Sequence, residues 1–221
     1  MTRLLSGRRA LLLALAGVVA CACAGQASPG EATITYRRVF KGSSPEFIEI
    51  KVGDQGKATC DLRQLDEQPD AEPFAVGAGV RAEIFTLAAK LNDFAIPSLD
   101  VHKRIANLGQ KTFRYERGSE VHEISFNYTL NPSANQLMQI FEGLASQQTD
   151  LLALERSMKF DRLGVNDALR QFESDLDNKL LPEPDALLPV LDQVAADPQL
   201  VEIARTRARA LAERIRTSPH P

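Results

Sequence analysis

One change in the spacing of apolar residues governs what this chain can fold into. Up to Leu130 they mostly alternate with polar ones, and after Pro132 they recur every third or fourth position. Period two buries one face of a strand, whereas period 3.6 buries one stripe of a helix. Ile34, Tyr36 and Phe40 are spaced by even steps, as in a strand with one buried face. Ile48, Ile50 and Val52 alternate with Phe47, Glu49 and Lys51, and Asp54-Gln55-Gly56 turns the chain back. Ala58, Cys60 and Leu62 then alternate with Lys57, Thr59, Asp61 and Arg63, which completes a hairpin. In a second hairpin, Phe113 and Tyr115 precede a turn at Arg117-Gly118, and His122, Ile124, Phe126, Tyr128 and Leu130 share one face of the return strand.

Helical signals interrupt and then replace this pattern. Val80, Ile84, Leu87, Ala88 and Leu91 form an apolar stripe between the hairpins, with Arg81, Glu83 and Lys90 facing outward. The acidic segment Leu65 to Pro73, broken by Pro69 and Pro73, reads as a loop. Phe94 to Leu108 is irregular, with one helical turn expected near Val101 to Ala106. Asn131-Pro132 ends the last strand, and Ser133 with Gln136 makes a capping box for a helix striped by Leu137, Ile140, Phe141 and Leu144. That helix continues through Leu151, Leu152 and Leu154 to about Met158. Val165, Leu169, Phe172, Leu176 and Leu180 stripe a second helix; Leu187, Leu188, Leu191 and Val194 stripe a third, with Pro189 tolerated only in its first turn. Asp197-Pro198 is expected to open the last helix, with Asp as cap and Pro at the first position. The expected fold is α+β: an antiparallel sheet of about five strands, ordered β-β-β-α-β-β-α, followed by an all-α tail of helical hairpins. Residues 1–24 form a leader, 25–31 a tether, 32–145 the sheet domain and 146–217 the helical tail.

The leader places the folded body outside the cytoplasm. Arg3, Arg8 and Arg9 precede an apolar run from Ala10 to Ala20, and small residues follow. That is the layout of an export signal, and the run is too short to span a bilayer. Val18-Val19-Ala20-Cys21 fits a bacterial lipoprotein site, in which Cys21 is diacylated and becomes the new N-terminus. Two acyl chains anchor far better than one, at about 0.8 kcal/mol per buried methylene. Ala20-Cys21-Ala22 and Ala22-Cys23-Ala24 are also A-x-A cleavage sites, so release as a soluble protein stays open.

Charge and residue inventory narrow the function further. The net charge is −3, and removal of the leader, with its three arginines and no acidic residue, takes it to −6. Such acidity excludes broad nucleic-acid binding and leaves a lipid on Cys21 as the route to a membrane. Only Cys60 remains beyond the leader's two cysteines, and it alternates with Ala58 and Leu62, as a buried structural thiol does. His122 shares the face of Ile124 and Phe126 and reads as a hydrogen-bonded, partly buried histidine; His102 lies in the irregular segment and His220 near the terminus. No histidine pair has metal-ligand spacing, and Gly77-Ala78-Gly79 lacks the Lys or third Gly of a phosphate loop, so neither metal nor cofactor is expected. Two charged groups stand out as contact surfaces for a partner. One is the acidic loop Asp66, Glu67, Asp70 and Glu72; the other is the arginine row Arg205, Arg209 and Arg216 on the last helix, beside Arg207 and Arg214. Cations near a helix C-terminus are favoured by the dipole, so a solvated face is the simpler account of the arginines, as a soluble loop is of the acidic residues.

The segment Ile34-Thr35-Tyr36-Arg37-Arg38, followed by Gly42 and then Ile48-Glu49-Ile50, resembles the opening hairpin of the small emfourin-type inhibitors of thermolysin-like metalloproteases. Val80 to Phe94 is similar to their central helix with its following aromatic, and Phe113 to Tyr128 to their second hairpin. The resemblance covers roughly half the chain and leaves everything after Thr149 unmatched. It implies blockade of a protease active site by exposed loops, and it transfers no inhibitory residue. Asp161-Arg162-Leu163-Gly164-Val165 and the Ala-Arg-rich last helix resemble uncharacterised bacterial envelope proteins. The expectation is a non-catalytic envelope protein, lipid-anchored or secreted, that acts on an envelope or extracellular protein partner by surface contact. A metalloprotease inhibitor and a hydrolase built on dispersed acids and histidines are the alternatives.

Overall fold

The computed structural model describes residues 30–101 and 103–218. The leader, Cys21, His102 and His220 lie outside the described residues. Six strands form one antiparallel sheet: β1 (Ala32–Val39), β2 (Phe47–Gly53), β3 (Lys57–Arg63), β4 (Glu72–Ala75), β5 (Gln110–Arg117) and β6 (Glu120–Phe126). Their spatial order is β4-β3-β2-β1-β5-β6. Helix α1 (Ala78–Lys90) is inserted between β4 and β5. Four helices follow the sheet: α2 (Pro132–Phe160), α3 (Val165–Asp177), α4 (Leu188–Ala196) and α5 (Glu202–Thr217). The fold is therefore α+β, as the change of period implies.

Register explains the core. Tyr36 faces Ile50 on one side and Phe113 on the other, and Ile50 in turn faces Cys60. Tyr36, Ile50, Phe113 and Phe126 are buried on the face that α1 and α2 cover, together with Ile84, Leu137, Phe141 and Leu144. The aromatic rings interlock: Phe113 lies 5.6 Å from Tyr36, 5.2 Å from Phe94 and 5.3 Å from Phe126. On the opposite face the long side chains pair with one another, Arg37 with Glu49 at 2.7 Å and Arg114 with Glu116 at 2.8 Å. One face dry and one face wet is the usual arrangement of an antiparallel sheet.

A second apolar cluster, containing Leu154, Phe172, Leu191 and Leu211, holds the helical region together. Helix α2 belongs to both clusters. Its first half buries Leu137, Phe141 and Leu144 against the sheet, and its second half buries Leu154 against α3 to α5. At a 1.5 Å rise per residue it is about 43 Å long. Between the halves lie three buried polar residues, Gln147, Gln148 and Asp150. The α3–α4 connection crosses α2 there. A Cβ on Gly143 would stand 2.4 Å from the Leu180 carbonyl oxygen, so only glycine permits this approach. The Gln147 side chain accepts the backbone N–H of Glu183 at 3.1 Å, which ties down the same crossing.

Several local expectations differ from the structure, each for a physical reason. Glu72 to Ala75 form a short edge strand rather than loop alone. Pro73 is tolerated because an edge strand does not need every N–H. The return strand stops at Phe126. Asp100 Oδ1 accepts the backbone N–H of Asn127 at 2.9 Å and of Tyr128 at 3.1 Å, so the chain leaves the sheet with its donors satisfied, and Tyr128 and Leu130 are exposed. Asn131, not Ser133, caps α2: its Oδ1 accepts from Ala134 N at 3.1 Å, and Pro132 occupies the first turn. Gln136 instead donates to Glu83 of α1 at 2.6 Å. Asp197 spends its carboxylate on its own turn, accepting from Gln199 N at 2.9 Å, and α5 starts at Glu202. No helical turn forms among the described residues of 101–106. A short turn appears earlier, at Asn92–Phe94, with φ of 53°, 47° and 70°: three consecutive left-handed residues. A bulky residue at positive φ is strained. Phe94 is held there by burial and by its stack on Phe113, with interplanar angle 18°.

Candidate functional site: a cleft between sheet and helices

The two apolar clusters do not close completely over the middle of α2. A cleft of about 310 Å³ remains, walled by the sheet on one side and by α2 and α3 on the other. Arg38 from the end of β1, Ser44 and Pro45 from the β1–β2 loop, and Ile48 and Leu62 from β2 and β3 form the sheet wall. Glu142, Ser146, Thr149 and Asp150 come from α2, at spacings of three, four or one that keep them on one side of the helix. Gln171 and Asp175, four apart on α3, complete it.

The two ends of the cleft differ electrostatically. At the sheet end every charge has a partner. Arg38 Nη1 donates to Glu142 Oε2 at 2.9 Å, and the Tyr36 hydroxyl donates to the other Glu142 oxygen. Burial and then the Glu142 charge push the Tyr36 phenol up, so it remains a proton donor. Lys111 lies behind them, its ammonium on the carbonyls of Leu108, Gly109 and Asn127 at 3.0, 3.2 and 2.9 Å.

The helix end is different. Asp150 is 3% exposed, and its Oδ2 is buried with no hydrogen-bond partner. Asp175 is the charged group that acts on it, and it is a like charge. Burial first, and then Asp175, push the Asp150 carboxyl up to about 7. Gln171 Nε2 donates to Asp175 Oδ1 at 3.0 Å, and the Thr149 hydroxyl donates to the Ala145 carbonyl at 2.9 Å, leaving its own lone pairs free. The other buried charged side chains are supported: Asp61 by Arg63 at 3.1 Å and Lys111 by its three carbonyls. Among the described residues Asp150 is thus the buried charge without a counterion or donor. Such groups are rare in native proteins, because an unmet buried acceptor costs about 1–3 kcal/mol.

A second depression, of about 360 Å³, lies between α3 and α5. Its charges answer each other: Glu173 pairs with Arg207 and with Arg214, each at 3.3 Å, and Asp177 also pairs with Arg214. Arg170, which also lines it, lies 3.9 Å from Asp167 and is exposed.

The residues singled out in sequence fall elsewhere. Asp66, Glu67 and Asp70 are exposed between β3 and β4, and Glu72 opens the edge strand β4, so the four lie along one margin of the sheet. Glu67 Oε2 accepts the Gln64 N–H at 2.7 Å; no partner is seen for Asp66 or Asp70 among the described residues. Arg205 and Arg209 both lean on Glu202, the latter at 3.2 Å, and Arg216 reaches Asp192 of α4 at 2.6 Å. The arginine row is therefore engaged within the helical region. Cys60 is buried, and burial followed by the neighbouring Asp61 raises its thiol to about 12, which leaves it protonated and unreactive at neutral pH. The His122 ring stacks on Tyr115, centroids 6.1 Å apart, with Nδ1 3.2 Å from the Asp93 carbonyl. It lines no part of the cleft. Among the described residues no group of three or more His, Cys, Asp or Glu can hold a metal ion, and no helix is long and apolar enough to cross a membrane.

Sequence reasoning did not single out Asp150. The signal was a break in the stripe of α2: Leu137, Phe141 and Leu144 lead to Leu151 and Leu154, with Gln147 and Gln148 where apolar residues should recur. No protein-family model matches this chain, and no curated protein matches it in sequence.

Proposed function

We propose that this chain is an exported, non-catalytic envelope protein, held at a membrane by lipid on Cys21, that acts by contact with another protein. The observation that supports this reading best is the unpartnered Asp150 carboxylate in a partly open cleft. A desolvated charge left without a counterion destabilises the free protein, and a partner that supplies one removes the penalty. The other charges lining the cleft, apart from Asp175, are paired, Arg38 with Glu142, which favours one specific point of engagement over diffuse adhesion. The acidic margin Asp66, Glu67, Asp70 and Glu72 supplies a second, solvated contact with the same sign of charge.

Photo-crosslinking in the intact cell tests the proposal. A crosslinking residue at Ser146, in the full exported chain, should give one discrete adduct with an envelope protein, reduced in the Asp150→Asn background. Absence of any adduct from Ser146, with the chain present at normal level, would remove the reading. Should the partner be a thermolysin-like protease, as the emfourin resemblance implies, titration of the chain into such an enzyme would lower its activity stoichiometrically.

One observation favours a second reading, a hydrolase. A carboxyl held near 7 beside a second carboxyl is poised as a general acid at neutral pH. A screen of glycoside and ester substrates that finds turnover abolished by Asp150→Asn would establish it over the first.

A further inference from the structure

From the cleft's geometry we infer that its helix end is a recognition site for a single alkylammonium group, with Asp150 as the charge partner. This inference rests on the reading of the cleft as the point of engagement and specifies what enters it.

The argument begins with sign. Asp150 and Asp175 face the helix end of the cleft, and the one cationic side chain in its lining, Arg38, is bound to Glu142 at 2.9 Å. Glu142 and Asp150 are eight residues apart on α2, so the two ends are separated by about 12 Å along the helix. A monocation at Asp150 therefore does not meet Arg38. An anion would have to sit against two carboxylates.

Valence and shape then separate the cations. A divalent metal ion requires several oxygen ligands, and among the described residues no group of three or more acidic, His or Cys side chains can hold one. A guanidinium is a planar fork that suits two free oxygens of one carboxylate. Here Asp150 Oδ2 is enclosed and Asp175 has one oxygen occupied by Gln171, so neither carboxylate opens both oxygens to the cleft. An ammonium carries three donors on a rotating point charge. It can serve the Asp150 carboxylate, Asp175 and the unused lone pairs of Thr149, which line the same end of the cleft. The methylenes of its stem would lie along Ile48 and Leu62 on the opposite wall. A volume of about 310 Å³ is at the small end for a ligand pocket and has room for one such chain.

Binding should strengthen with pH. The groups facing Asp150 across the cleft are Asp175 from α3 and, farther off, Glu142 on α2 and Arg38 from β1; β2 and β3 contribute only apolar side chains. The carboxyl is neutral at low pH and ionises near neutrality, whereas an alkylamine stays protonated to about pH 10. Affinity therefore rises from pH 6 to pH 8.

The ammonium has two sources, a free amine or a lysine side chain of a protein. The test uses both probes, n-pentylammonium and Nα-acetyl-lysine-N-methylamide, with n-pentanol as neutral control. They are titrated into protein recovered from cells that export the full chain, and amide signals of residues 146 to 150 and 175 are followed by NMR. The expected result is saturable shifts with either ammonium probe, at least tenfold weaker in Asp150→Asn, at least threefold weaker at pH 6 than at pH 8, and absent with pentanol. Asp175→Asn, a second variant, should weaken binding by a smaller factor. Saturation by the lysine probe alone assigns the site to a protein side chain; saturation by pentylammonium alone assigns it to a free amine. No saturation by either at pH 8 and 20 mM, or equal binding by wild type and Asp150→Asn, overturns the inference. Ammonium binding without a crosslinked partner would leave this inference standing and remove the protein-contact reading; a crosslinked partner without ammonium binding would do the reverse.

Discussion

Replacing Asp150 by Asn should make the protein more stable, and by an amount that grows with pH. Burial and Asp175 move the carboxyl from 3.8 to about 7 in the folded protein. The unfolded chain releases the proton near the lower value, so between the two the folded state binds more protons. Stability from this group is therefore present at low pH and is lost as pH rises through the window, flattening above about 7. A displacement of roughly three pH units is worth about 4 kcal/mol at 1.36 kcal/mol each. Water entering through the open side of the cleft and relaxation of α3 screen the charge, so about 2 kcal/mol is the expected gain. Asparagine keeps the shape and cannot ionise. Urea unfolding of wild type and Asp150→Asn, followed by circular dichroism at pH 4, 6 and 8.5, isolates the term because other titrating groups cancel. The stability difference should widen by about 2 kcal/mol between pH 4 and pH 8.5. If it is the same at both ends within about 0.5 kcal/mol, Asp150 is ordinarily solvated and the electrostatic argument fails.

Gly143→Ala forces a methyl to within 2.4 Å of the Leu180 carbonyl, and should cost about 1–3 kcal/mol, read as a lower melting temperature with secondary structure retained. Asp93→Gly relieves one of three left-handed residues and should raise stability by about 1 kcal/mol in the same assay; a loss would show that the Asp93 side chain contributes more than its backbone strain removes. Cys60, with its thiol near 12, should resist iodoacetamide at pH 8 in the folded protein and react within minutes in 6 M guanidinium; equal labelling in both states would contradict its burial.

How much of this was legible beforehand depended on whether one element or two decided the outcome. β2 and β3 could be read because alternation and the Asp54–Gly56 turn agree locally, and α1 because its stripe is continuous. β4 could not, since four residues containing Pro73 carry no periodic signal and are ordered by pairing with β3. The start of α2 was misplaced because several polar residues near it can cap, and the choice between Asn131 and Ser133 follows from Pro132; α5 starts after Val201 with no side-chain cap, because Asp197 closes its own turn instead. Asp150 lay beyond local reasoning. On an isolated helix it is one more solvated carboxylate; only the return of α3 across α2 takes it out of water and sets Asp175 against it. The charged groups that composition made conspicuous behave oppositely: Arg207, Arg214 and Arg216 of α5 pair with α3 and α4, and Arg205 and Arg209 with Glu202 of their own helix, so the visible charge is met within the helical region.

Helix α2 runs unbroken through both apolar clusters, and that has a mechanical consequence. A rod clamped at each end has no hinge, so the wall that carries Asp150 cannot swing aside to admit a visitor. The elements left to give way at the mouth are α3 and, on the far bank, the β1–β2 loop around Ser44 and Pro45. Stiffening that loop should slow entry and exit alike while leaving the depth of the well unchanged.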